Sequence, residues 1–154
     1  MSKKNPLVQV TVIGSSEPDL QTAAFAAEIG ASIAHKGAIL ICGGLGGIME
    51  AAARGVKQNG GLTVGILPDY DRESANPFMD IVVPTGLGHA RNVLVVASGD
   101  LIIALPGSHG TRSEISIALK LGKPVIGFKA WGSISGVRQV NTIEELEEEL
   151  CHFF

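Results

Sequence analysis

The sequence lacks most of the features that mark specialised classes of protein. Only two cysteines occur, Cys42 and Cys151, and neither belongs to a CxxC pair or a Cys/His cluster. That excludes a disulfide framework and offers no zinc-ligand spacing, so no metal is expected. Cys42 lies in an apolar run and reads as a small core residue. An excess of basic charge is also missing. Twelve Lys and Arg against 15 Asp and Glu give a net charge of −3, so no positive field draws in a nucleic-acid backbone. No run of 18 apolar residues offers a membrane-spanning helix. Residues 1–6 are polar, carry Lys3 and Lys4, and have no secretory apolar stretch. These absences lead to the expectation of a cytoplasmic protein whose partner is a small molecule, with no nucleic acid and no membrane. Familiar catalytic and nucleotide motifs are missing too: no Gly-Lys-Ser/Thr of a Walker A loop, no nucleophile elbow, no Ser/His/Asp order.

Glycine and short apolar runs are what the chain has in quantity. Its 154 residues suit one domain with one core, and 45% hydrophobic against 18% charged content excludes disorder. Strands are expected at residues 7–13, 38–42, 62–67, 80–83, 101–105 and 125–128, each a short apolar run and most closed by Gly or Pro. Leu101-Ile102-Ile103-Ala104-Leu105 is apolar throughout, the mark of a strand covered on both faces. Helices are expected at residues 19–36, 48–58, 89–97, 112–121 and 142–150. Strands alternating with helices through short connections predict an α/β, three-layer, doubly wound Rossmann-like fold with a mostly parallel sheet of about six or seven strands. Ligands of such folds sit beyond the carboxyl ends of the strands. Residues 68–77 form the longest polar loop and are expected to move.

Three strand-to-helix turns carry the chemistry. In Leu105-Pro106-Gly107-Ser108-His109-Gly110-Thr111-Arg112-Ser113-Glu114 a buried strand ends, glycines frame a turn and a helix begins. Free N–H groups and the helix dipole favour an anion there, with Ser108 and Thr111 as hydroxyl donors. Thr111-x-x-Glu114 also fits a capping box, in which Glu114 only bonds the helix start. In Gly43-Gly44-Leu45-Gly46-Gly47-Ile48-Met49-Glu50, four glycines in five positions exceed the needs of a turn and point to close approach of backbone to ligand. The first turn, Gly14-Ser15-Ser16, lacks the GxGxxG order; its serines donate to a phosphate or ribose, or Ser16 caps the next helix. Arg91, near the start of an apolar helix, either faces a bound anion or covers apolar surface with its stem. His89 and His109 lie in these loops, as ligand contacts or as loop hydrogen-bonders.

Residues 106–114 resemble the PGGxGTxxE motif of the Lonely-guy (LOG) family, once labelled lysine decarboxylases, and residues 43–50 resemble its upstream GGGxxGLM segment. The resemblance covers roughly residues 10–128. It implies a Rossmann-like fold, a homo-oligomer (dimer or tetramer) and hydrolysis of the N-glycosidic bond of nucleoside 5′-monophosphates. By position, Glu114 matches the family's catalytic glutamate and Arg91 its catalytic arginine. The glycine loops match the phosphate and nucleotide contacts: Gly14, Ser15, Ser16, Gly43, Gly44, Gly46, Gly47, Met49, Glu50, Gly107, Ser108, His109, Gly110 and Thr111. Two positions depart from the pattern. Asn92 stands where a lysine usually follows the arginine, and Ser108 where the motif has its second glycine. Residues 86–92 resemble instead a short sister group that includes the molybdenum-cofactor carrier protein. That resemblance implies an alternative, a non-catalytic protein that requires no cofactor but carries or binds molybdenum cofactor, a phosphorylated pterin, or a nucleotide as its ligand.

Overall fold

The computed structural model describes residues 6–154. All but the last residue of the polar segment 1–6 lies outside the described residues. Seven strands form one sheet in the order β4-β3-β2-β1-β5-β6-β7, and every neighbouring pair is parallel. They are β1 (Gln9–Ile13), β2 (Ile39–Cys42), β3 (Leu62–Leu67), β4 (Ile81–Pro84), β5 (Leu101–Ala104), β6 (Val125–Phe128) and β7 (Val137–Val140). Five helices cover it: α1 (Leu20–His35), α2 (Ile48–Gln58), α3 (Arg91–Ser98), α4 (His109–Lys120) and α5 (Ile143–Phe153).

Alternate residues of the central strands feed two separate cores. Val10, Val12, Leu40, Leu101 and Ile103 pack with Ile29 and Ile33 of α1, Ala52 and Val56 of α2, and Leu146 and Leu150 of α5. Ile13, Ile41, Ile102 and Ala104 pack with Val95 and Val96 of α3 and Ile115 and Ala118 of α4. This is the three-layer arrangement that the continuous apolar runs predict.

The chain winds outward from β1 to β4, then returns to lay β5 against the other side of β1. The switch between those directions opens a crevice beyond the ends of β1 and β5. Several elements differ from the sequence-based expectation, most of them only at their ends. The fourth helix starts at His109, not at residue 112, with Ser108 at its N-cap. The third begins as a 3₁₀ turn, Gly88–Ala90, before α3 proper. The seventh strand, β7, carries exposed Arg138 and Gln139, which break its apolar run.

Candidate functional site

The turns after β1, β2 and β5 meet because their backbones bond to one another. Ser15 N–H donates to the Pro106 carbonyl (3.0 Å), and Ile48 N–H donates to the Ser15 carbonyl (3.0 Å). Gly47 has φ +69°, and a Cβ there would strike the Ser15 and Ser16 carbonyls. Only glycine fits that backbone and that approach. Asn76, from the loop after β3, holds the second turn from outside: its N–H donates to the Gly44 carbonyl and its Nδ2 to the Leu45 carbonyl, both at 2.8 Å.

Between these turns lies a cavity of about 260 Å³. Of the residues expected from the sequence, Gly14, Ser15, Ser16, Gly43, Met49, Arg91, Ser108, Gly110, Thr111 and Glu114 line it. Gly44, Gly46, Gly47, Glu50, Gly107 and His109 do not. Gly44 packs on Leu67 and Gly65, Gly107 packs on Thr111, and Glu50 lies beside Gly46. Part of the glycine excess therefore serves packing of the turns against β3 and α4. His89, expected as a ligand contact or a loop hydrogen-bonder, and Asn92, the departure from the family's arginine-lysine pair, also line the wall, as does Leu45, which no motif singles out.

Gly43 explains how Arg91 reaches the cavity. A Cβ at Gly43 would collide with the Arg91 guanidinium and come within 2.7 Å of Met49 Sδ. The missing side chain is the space that the guanidinium occupies. Burial pushes the Arg91 pKa down, opposed first by the charge of Glu114. Its Nε is buried with no hydrogen-bond partner, an arrangement that favours an incoming acceptor. Arg91 and Glu114 share the wall without pairing: among the described residues the ion pairs are Lys57–Asp80 and Arg138–Glu149.

Glu114 is not a capping residue. Thr111 lies inside α4 and is buried, the N-cap Ser108 makes no side-chain capping bond, and the Thr111-x-x-Glu114 spacing therefore falls one turn too late. Its carboxyl sits in the second turn of the helix against the cavity, and burial raises its pKa to about 7 despite the nearby Arg91. Ser16 does not cap α1 either; Asp19 does, accepting from Thr22 N–H at 2.7 Å. Ser15 Oγ accepts from Glu17 N–H at 3.0 Å, so that hydroxyl still has its proton to donate. Cys42, one residue before Gly43, is fully buried, and burial raises its thiol to about 11, so it stays protonated. Among the described residues no group of three or more His, Cys, Asp or Glu is placed to hold a metal, and no helix is long and apolar enough to cross a membrane.

The chain is 34% identical to the molybdenum cofactor binding protein of Rippkaea orientalis, with a TM-score of 0.84 and 99% of each chain covered. It is 35% identical over 123 residues to the cytokinin riboside 5′-monophosphate phosphoribohydrolase of Mycobacterium tuberculosis, covering 73% of this chain but only 65% of that enzyme. An uncharacterised protein of Archaeoglobus fulgidus is 50% identical over 139 residues, 90% of this chain and 91% of its own. The LOG-like resemblance of the glycine motifs and the full-length match to a cofactor binding protein meet in one superfamily. Its SLOG cluster4 family profile matches residues 7–152, and the chain belongs to that family.

Proposed function

We propose that the cavity binds a nucleoside 5′-monophosphate and that the protein hydrolyses its N-glycosidic bond, releasing the base and ribose 5-phosphate. The observation that carries this is the placement of Glu114 on the same wall as Arg91. A carboxylate beside an anion costs affinity, so a site that only stores a phosphate gains nothing from it. Cleavage gains from it. As the C1′–N bond breaks, its electron pair leaves with the base and positive charge develops on the ribose, and a fixed carboxylate stabilises that charge. Water then supplies hydroxide to C1′ and a proton to the departing base. The N-terminus of α4, with Ser108 and Gly110 on the cavity, holds the phosphate. Arg91, with its unpartnered Nε, accepts the phosphate or orients Glu114.

The test is incubation with AMP and N6-modified AMP, followed by chromatography for free base. Glu114 must be ionised to oppose a cation, and burial places its pKa at about 7. Accordingly kcat/KM should climb between about pH 5 and 8 with its inflection near that value. Absence of base release across a nucleotide panel would sink the proposal.

One observation favours a second reading. Asn92 lines the cavity beside Arg91, where it offers a neutral amide in place of the lysine usual in the Lonely-guy enzymes. A neutral donor and acceptor suits a pterin edge better than a second cation suits it. In this reading the protein carries molybdenum cofactor, as ligand and not as catalyst. Mass spectrometry of small molecules retained on the purified protein separates the two: a phosphopterin together with no base release assigns storage.

A further inference from the structure

We infer that Trp131 is a positioning residue for the anion-binding turn at residues 106–110. The inference rests on the reading that this turn holds a ligand phosphate. Leu105 is fully buried at the end of β5. Its N–H donates to the Ile13 carbonyl (2.9 Å), and its carbonyl accepts from the indole Nε1–H of Trp131 (2.9 Å). The next residue, Pro106, has no N–H and a fixed φ. The direction in which the turn leaves the sheet is therefore set by two carbonyl ties: Leu105 to Trp131, and Pro106 to Ser15. The second tie belongs to the cavity wall. The first comes from the loop after β6, outside it.

That loop is built at a cost. Lys129 (φ +60°) and Trp131 (φ +73°) are the two non-glycine residues with left-handed backbone among the described residues. Such conformations persist only where the surroundings impose them. Here Lys129 N–H donates to the Val140 carbonyl (2.8 Å), and Gly127 leaves room for the Ala130 carbonyl. The guanidinium of Arg112, in the first turn of α4, stands 5.6 Å from the indole ring centroid. The indole thus touches both sides of the turn, strand end and helix start. Simple coverage of apolar surface would need neither the left-handed backbone nor the carbonyl tie.

Trp131 is the only tryptophan in the chain, so its emission reports on this tie directly. The probe is ribose 5-phosphate, which has no base to stack on or quench the indole. Titration of the wild-type protein should give a saturable emission change, and free ribose should give none. Trp131→Phe keeps an aromatic ring and removes the donor. Its calorimetric affinity for ribose 5-phosphate should fall about tenfold or more, with unchanged far-UV circular dichroism. Equal affinity in a folded Trp131→Phe overturns the inference. So does wild-type binding by calorimetry with no emission change, which decides the matter if the variant does not fold. Absence of wild-type binding to both ribose 5-phosphate and AMP instead removes the phosphate reading itself, and the inference falls with it.

Discussion

A carboxyl group beside a guanidinium usually ionises more readily, yet Glu114 does the opposite. Burial outweighs the attraction of Arg91 and leaves the carboxyl titrating at about 7 in the folded chain. The native state therefore keeps a proton that the unfolded chain releases in the usual carboxylate range. Stability from this group is fully present below that range and is lost as pH rises through about 7. With allowance for solvent on the open side of the cavity, the loss by pH 8 is about 2 kcal/mol. Glu114→Gln removes the charge and keeps the shape. It should raise the melting temperature by about 4–8 °C at pH 8 and change it little at pH 5, as scanning calorimetry at the two pH values would show. The same substitution should abolish base release. A gain in stability coupled to a loss of turnover is the signature of a residue held for chemistry, whereas a capping residue would leave stability nearly unchanged at both pH values, because glutamine caps as glutamate does.

Among the elements, the glycine turn after β2 divides into positions with different duties. At Gly43 an added Cβ meets the far ends of two flexible side chains, Arg91 and Met49. Gly43→Ala should therefore cost little stability but push Arg91 off the cavity wall. Its affinity for a nucleoside monophosphate should fall at least tenfold, roughly the worth of one charge-assisted contact. At Gly47 the added Cβ meets backbone carbonyls, and φ is +69°. Gly47→Ala should cost more than about 2 kcal/mol in urea unfolding, because neither loop can give way. From the sequence alone these two glycines look alike. The apolar runs made six strands and the two-sided cover legible, since burial on both faces needs unbroken hydrophobicity. The edge strand β7 was not legible, because Arg138 and Gln139 face solvent. The start of α4 was misplaced because Gly110 reads as a turn residue and lies in the helix's first turn. The cavity wall could be named in large part, since its residues follow directly on strand ends. Its supports could not: Asn76 and Trp131 act 31 and 26 residues away from the carbonyls they hold, and no local pattern records such a pairing.

At the scale of the whole molecule, strand order decides where binding energy goes. The site sits at the winding switch between β1 and β5, on ties that join the ends of β1, β2 and β5. A ligand that fills it should stabilise the whole sheet and not one loop. At a nucleotide concentration of about 100 times Kd, the gain is about 2.7 kcal/mol, which in a chain of this size raises the melting temperature by roughly 5–11 °C. Adenosine, without the phosphate, should raise it far less in the same thermal scan; an equal rise would place the binding energy in the base. The ties have one more consequence. They run between peptide groups, Ser15 to Pro106 and Ile48 to Ser15, so much of the cavity's frame is written in main chain, while the side chains of residues 89, 91, 92 and 114 line its wall. A frame of that kind can be re-dedicated. Exchanging those few side chains should change the lining of the cavity without redrawing its frame, so that the wall of one relative could be grafted onto the frame of another.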